Sequence, residues 1–216
     1  LSNYFMLLTG QPVHCFDADT IEWWISVRYA NDGETFVDLK DTTHTLTTND
    51  IVICDDKKIL ALGGIIGGKD SAVSEKTKNI LVEIAHFDPV IVRKTGTRLA
   101  LRTDAELRFE KHINPQFSSH AIHMFLDILQ YMKKDIGEHT IEWLSYYTKP
   151  TYSDQPKNLT IGWDSISQQI YGDDSFPLAE SQKVLTNLGF TINENTLTVP
   201  RRRSPDDING THDIRS

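Results

Sequence analysis

Residues 50–66 read DIVICDDKKILALGGII: two short apolar runs on either side of Asp-Asp-Lys-Lys. Each run has strand length, and the charged quartet suits an antiparallel hairpin connection, though not the tight Asn-Gly kind. Working outward, the same texture fills residues 20–92. WWISVRYA (23–30) and NILVEIAHF (79–87) are short β-rich runs, and turn-forming stretches such as NDGE (31–34) separate them. The expectation is a run of strands, mainly antiparallel.

The period changes at INPQFSSHAIHMFLDILQYMKKDIG (113–137), where Phe117, Ala121, Phe125, Ile128 and Met132 share one helical face. Asn114 is a candidate N-cap, Pro115 a first-turn residue and Gly137 a stop beyond Lys133 and Lys134. Strands followed by one long helix make the fold class α+β. YYTKPTYSDQPKN (146–158) then reads as a linker. Beyond it, LTIGW is a strand, DSISQQIYG and PLAESQKVLTNLGF are helices, the second ended by Gly189, and FTINENTLTVP is a hairpin turning near Asn193–Asn195. Two helices and a hairpin suggest a small winged-helix-like module.

Acidic residues outnumber basic ones by 30 to 22 in this 216-residue chain, so a polyanion would have to meet a local patch. Two patches qualify: Arg93, Lys94, Arg98, Arg102, Arg108 and Lys111, and the run Arg201–Arg203. Two cysteines are too few for a disulfide framework and lack the spaced partners of a structural zinc site. No stretch approaches the roughly 18 apolar residues of a membrane span, and the first residues lack a basic signal-peptide start. The expected location is the cytoplasm.

Several local motifs invite a chemical reading. His14 and Cys15 are adjacent, but neighbours on an extended chain face opposite ways, so they do not form a nucleophile–base pair. ALGGIIGGKDS (61–71) approximates GxxxxGK, but Asp70 stands where a phosphate loop needs Ser or Thr, so ATP binding is rejected there. Four glycines in six residues leave two alternatives: close approach of a ligand to bare backbone, or a tight hairpin. His120 and His123 have no third ligand at fixed spacing and read as surface residues. Glu83 stands out as a carboxylate inside an otherwise apolar strand, where an unpaired buried charge is costly. TDAELRFEK (103–111) reads as a solvated helix turn or edge strand.

Taken in order, SNYFMLLTGQPVHCFD (2–17), ALGGIIGG (61–68) with DSAVS, TKNILVEIAHFDP (77–89) and RLALRTDAELRFEKHINP (98–115) resemble the β subunit of bacterial phenylalanyl-tRNA synthetase. The resemblance implies an N-terminally truncated B3/B4-like editing domain over 1–150 and a C-terminally truncated B5-like domain over 151–216. It implies proofreading by hydrolysis of tRNA mischarged with tyrosine, and no aminoacylation site in this stretch. Carried over by position, Glu83 reads the phenolic hydroxyl, Ser2 stands where the family has threonine, His14 lies beside the aminoacyl group and Gly64 lets the amino acid meet backbone. Thr103, Ala105 and Pro12 complete the pocket. No covalent nucleophile is among them, which favours attack by water. Arg93, Arg98 and Arg102 are the candidate tRNA contacts.

Asp207 and Asp213 correspond to magnesium-binding positions, although the glutamate pair of the family pattern after Asp213 is Arg215 and Ser216 here. No cofactor is expected in the editing pocket, whereas ATP and magnesium belong to the whole enzyme. Partners by resemblance are tRNA(Phe) and the α subunit of an α2β2 assembly, with neither membrane nor DNA. The alternative function is a non-catalytic module of the same architecture that binds tRNA or protein.

Overall fold

The computed structural model describes residues 1–22, 24–132, 140, 156–173, 175–203, 207, 208 and 210–214. The chain divides into two compact units, Leu1–Ser145 and Tyr146–Ser216. Among the described residues no helix is long and apolar enough to cross a membrane.

The first unit begins with helix α1 (Ser2–Thr9), closed by Gly10 in the left-handed region. Strand β1 (His14–Asp17) follows, then β2 (Ser26–Tyr29), β3 (Thr35–Val37), β4 (Thr43–Thr45), β5 (Ile51–Cys54), β6 (Ile59–Leu62), β7 (Ile66–Gly67) and β8 (Ile80–Glu83). Helices α2 (Pro89–Leu99), α3 (Asp104–Phe109) and α4 (Ser118–Tyr131) complete it. The expected α+β class with antiparallel pairing is what the chain adopts. Strands β2, β5, β6 and β7 form a four-stranded sheet in that order, β1 pairs with β8, and β3 pairs with β4.

Asp-Asp-Lys-Lys is indeed the β5–β6 connection. Asp55 closes it, accepting from the backbone N–H of Lys57 and of Lys58, both at 2.8 Å. The strand reading of 20–92 overran at its end: residues 89–92 open α2. Asp88 caps that helix by accepting from the N–H of Val90 and Ile91, and Pro89 fills the first turn. The signal was the Asp-Pro pair, a helix start that the preceding strand-like run obscured. Asn114 caps a short 3₁₀ turn, Pro115–Phe117, and α4 proper starts only at Ser118. Gly137, Lys133 and Lys134, and most of the linker stretch, lie outside the described residues.

Packing follows strand alternation. On one face of the β1–β8 ribbon, Cys15 and Val82 join a core made by Phe5 of α1, Val13, and Phe117, Ala121 and Phe125 around α4. Phe5 and Phe125 meet edge to face at 5.4 Å. The other face carries Phe16 and Leu81 into the main core with Leu60, Leu62, Phe87, Val92 and Phe109. Cys15 thus packs as a small apolar group on the side away from His14. His120 and His123 are exposed on α4.

The second unit is a three-stranded antiparallel sheet in the order β10 (Thr191–Asn193), β11 (Thr196–Thr198), β9 (Asn158–Thr160), with helices α5 (Trp163–Ile170) and α6 (Leu178–Asn187). Ile161, Ile166, Phe190 and Leu197 anchor its core. Gly189 ends α6 in the left-handed region, and Glu194 takes a positive φ in the hairpin turn.

Candidate functional site

The ribbon register brings the two polar candidates together. His14 on β1 lies directly opposite Glu83 on β8, and partners across an antiparallel pair share a face. Both line a partly enclosed cavity, whose floor is Ile53, Ala61 and Gly67 of the four-stranded sheet. Pro12, Gly64 and Ala105 line the same cavity, as does Phe109 of α3. Its lining side chains are apolar apart from this carboxylate and imidazole. Such a hollow suits an apolar group that carries a hydrogen-bonding atom at its tip.

Burial pushes the Glu83 carboxyl up to about 7, and no other cause contributes. Among the described residues no hydrogen bond or ion pair reaches its side chain. Burial also lowers His14, so its imidazole is neutral near pH 7 and supplies no countercharge. The ring packs edge to face on Phe16 at 4.4 Å. A Cβ on Gly67 would stand 2.4 Å from His14 Cε1, so glycine there gives the imidazole its room.

The two alternatives for the glycine cluster resolve toward the hairpin. A Cβ at Gly64 would meet Phe87 at 2.9 Å and Val92 at 3.1 Å, and at Gly68 it would meet the Leu60 carbonyl oxygen at 2.7 Å. Gly64 also takes a φ of +72°, which disfavours other residues. Its backbone lines the cavity, but its missing side chain makes room for this chain's own core.

Two expected pocket residues are placed differently. Thr103 caps α3: its hydroxyl accepts from Glu106 N–H at 3.1 Å and donates to the Ile65 carbonyl at 2.7 Å. It does not border the cavity; it ties the β6–β7 turn to the helix that brings Ala105 and Phe109 to the wall. Thr103→Val is expected to lower stability by about 1–2 kcal/mol in urea titration, whereas Thr103→Ser stays near wild type. Ser2, half-buried in the first turn of α1, is also absent from the cavity wall. Gln11 escaped the sequence reading. Fully buried, its amide donates to the carbonyls of Ala85 at 2.9 Å and Pro12 at 3.2 Å, holding the ends of the ribbon together. Phe109 also gave no local signal, since its role depends on segments distant in sequence, and Gly67 was visible only as one member of the glycine cluster.

The basic candidates divide. Arg93 is exposed on α2. Arg98 pairs with the buried Asp50 carboxylate and donates to the Thr45 carbonyl at 3.2 Å. Arg102 bridges Glu106 and Glu110, each at 3.1 Å. Glu106 overturns the solvated reading of its stretch: it is fully buried against Gly96 of α2. In the second unit Asp213 accepts from the Gly210 N–H at 2.9 Å, and Asp207 is exposed. Among the described residues no group of three or more His, Cys, Asp or Glu is arranged to hold a metal ion.

Residues 1–134 match the family model of the B3/4 domain. Over 212 residues, or 94% of it, the chain is 37% identical to the phenylalanine–tRNA ligase β subunit of Latilactobacillus sakei subsp. sakei (strain 23K). The same figures hold for the phenylalanine–tRNA ligase β subunit of Staphylococcus aureus (strain Mu50 / ATCC 700699). In both cases the chain spans 25% of the relative's length. Among solved structures, an N-terminal fragment of the phenylalanyl-tRNA synthetase β subunit from Pyrococcus horikoshii aligns with TM-score 0.46 and 16% identity, over 99% of this chain and 62% of that one.

Proposed function

The chain belongs to the B3/4 domain family, and from that premise we propose that it is the proofreading region of a phenylalanine–tRNA ligase β subunit, hydrolysing tRNA(Phe) that carries tyrosine. One observation carries this reading: a carboxylate whose burial holds it near neutrality, without a partner among the described residues, in the lining of an otherwise largely apolar cavity. A synthetic pocket selecting phenylalanine rejects an analogue with one added hydroxyl only about a hundredfold. A second site that hydrogen-bonds the hydroxyl works in the opposite sense. Tyrosine satisfies Glu83, while phenylalanine leaves the carboxylate desolvated and unpaired, and is rejected by roughly 10⁴.

Among the described residues, those lining the cavity include no Ser, Thr, Cys or Lys that could serve as a covalent nucleophile. Hydrolysis then proceeds by water attack on the ester carbonyl, breaking its bond to the ribose oxygen. The pocket contributes by holding the ester in one orientation. The same observation favours a second reading, a module that binds the aminoacyl end without hydrolysing it. The test is single-turnover deacylation of Tyr-tRNA(Phe) and Phe-tRNA(Phe) by the chain. Selective loss of tyrosine supports proofreading. Binding without ester loss selects the second reading, and neither binding nor loss removes both.

The titration of Glu83 gives a pH signature. Above about pH 7 the carboxylate is ionised, accepts strongly from the phenolic O–H and penalises phenylalanine most. Below it the protonated group is cheaper to leave unpaired. Tyrosine-over-phenylalanine selectivity is therefore expected to rise through about pH 7 and then level off, after subtraction of uncatalysed hydrolysis at each pH. A flat profile excludes Glu83 as the reader.

In the whole enzyme the partners are tRNA(Phe) and the α subunit, and ATP and magnesium serve aminoacylation outside this region. Arg93, exposed on α2, which packs against the cavity-lining helix α3, is the best placed of the three arginines for a tRNA phosphate. Arg98 and Arg102 already serve internal carboxylates.

A further inference from the structure

The cavity floor continues beyond the cavity. Its residues form one row of cross-strand partners: Gly67 of β7 faces Ala61 of β6, Ala61 faces Ile53 of β5, and Ile53 faces Val27 of β2. The first three border the cavity. Val27, one strand spacing further, or about 4.8 Å, is 63% exposed. Tyr29, two residues along on the same face of β2, is 57% exposed, and Trp24, just before the strand, is 78% exposed. Ile25 adds a further apolar surface. An edge strand normally carries charges or prolines on such a surface; here it presents two open aromatic rings within a few residues.

We propose that this strip is the seat of the terminal nucleoside of the tRNA, with its base stacked on Tyr29 or Trp24. The proposal rests on the proofreading reading above. An aminoacyl group is joined through its ester to the ribose of the last nucleotide. With the side chain in the cavity, ribose and base must lie within about two strand spacings of its wall. The apolar strip starts at the strand neighbour of a wall residue, and open aromatic faces hold bases of any sequence by stacking. Another part of a longer chain or a second copy is the competing occupant.

Calorimetric titration of the full 216-residue chain with two non-hydrolysable probes tests this. L-tyrosinamide fills only the cavity, and 3′-deoxy-3′-(L-tyrosylamino)adenosine adds ribose and base. The second probe is expected to bind roughly 5- to 150-fold more tightly, the range that alanine substitution assigns to one stacked base. Tyr29→Ala or Trp24→Ala should remove most of that gain while leaving tyrosinamide affinity unchanged; both sites are exposed, so the fold is retained. Glu83→Ala should weaken both probes alike. If tyrosinamide binds in a Glu83-dependent way but the adenosine adds nothing, or its gain survives both aromatic substitutions, the nucleoside seat is wrong and the proofreading cavity stands. Sedimentation that reports self-association lost in Tyr29→Ala, with the adenosine gain intact, assigns the strip to a second copy and overturns the proposal. If neither probe binds, the proofreading reading fails and takes the nucleoside seat with it.

Discussion

Glu83→Ala is expected to lower kcat/KM for deacylation of Tyr-tRNA(Phe) about 100-fold and to raise that for Phe-tRNA(Phe), so that selectivity falls from roughly 10⁴ toward unity. The two directions have separate causes. Tyrosine loses a hydrogen bond to a charged acceptor, typically about 1.5–3 kcal/mol. Phenylalanine escapes the cost of desolvating a carboxylate that it cannot satisfy. A purely structural role for Glu83 would slow both substrates alike, and unchanged rates for both would remove it from the mechanism. Glu83→Gln should fall between, because the amide still accepts from the phenol but carries no charge. Parallel assays on the two charged tRNAs, with circular dichroism to verify folding, are sufficient.

The second large effect is on stability, with opposite sign. Glu83 titrates at about 7 in the folded chain because burial disfavours its charge, against an ordinary value of 4.5. Between these values the unfolded chain binds fewer protons than the folded one, so stability falls as pH rises from about 4.5 to 7 and stays low above. At about 1.4 kcal/mol per pH unit the gap bounds the penalty near 3 kcal/mol; solvent reaching the half-buried carboxylate reduces it to about 2. Glu83→Gln is therefore expected to stabilise the first unit by about 2 kcal/mol at pH 8, roughly 4–8 °C in Tm, and to change little at pH 4. Thermal denaturation at both pH values gives the answer. Equal Tm values at pH 8 would mean that the folded chain solvates or compensates the carboxylate and carries no burial penalty there. A substitution that removes activity while adding stability marks a residue kept for function.

Much of the fold was legible because its elements are local. Residues 50–66 become a hairpin since each run is strand-length and Asp55 can close the turn by itself. The long helix is readable from the spacing of Phe117, Ala121 and Phe125. Helix α1 left no such trace: Tyr4, Leu7 and Leu8 make its outer face as apolar as its buried one, so periodicity is lost. The β3–β4 hairpin was also missed, because each strand is three residues long and buries only its central residue, Phe36 or His44, which is too short a run for alternation to register.

The site was legible only in part. Glu83 is conspicuous as a charge among aliphatics, and its strand position is enough to single it out. Pro12, His14, Gly64 and Ala105 border the same cavity, yet no local rule joins them, since they come from a turn, a strand, a hairpin tip and a helix. The resemblance put Thr103 on the pocket wall, whereas its hydroxyl is taken up by the Ile65 carbonyl and the Glu106 N–H. Phe109, and the room that Gly67 leaves for His14, become visible only once α3 and β7 are brought against β1.

The two-sided character of the β1–β8 ribbon has a consequence for how the chain finds its native state. If the strands slid past each other by one position, the chemistry of the two faces would be exchanged. Glu83 would be driven under α1 and α4, among Phe5, Phe117 and Phe125, and Val82 would replace it in the hollow. A carboxylate has no partner there, so misregistered chains carry a heavy energetic handicap and are disfavoured during folding. The same charge that weakens the finished structure at alkaline pH thus acts as an alignment key while the ribbon assembles.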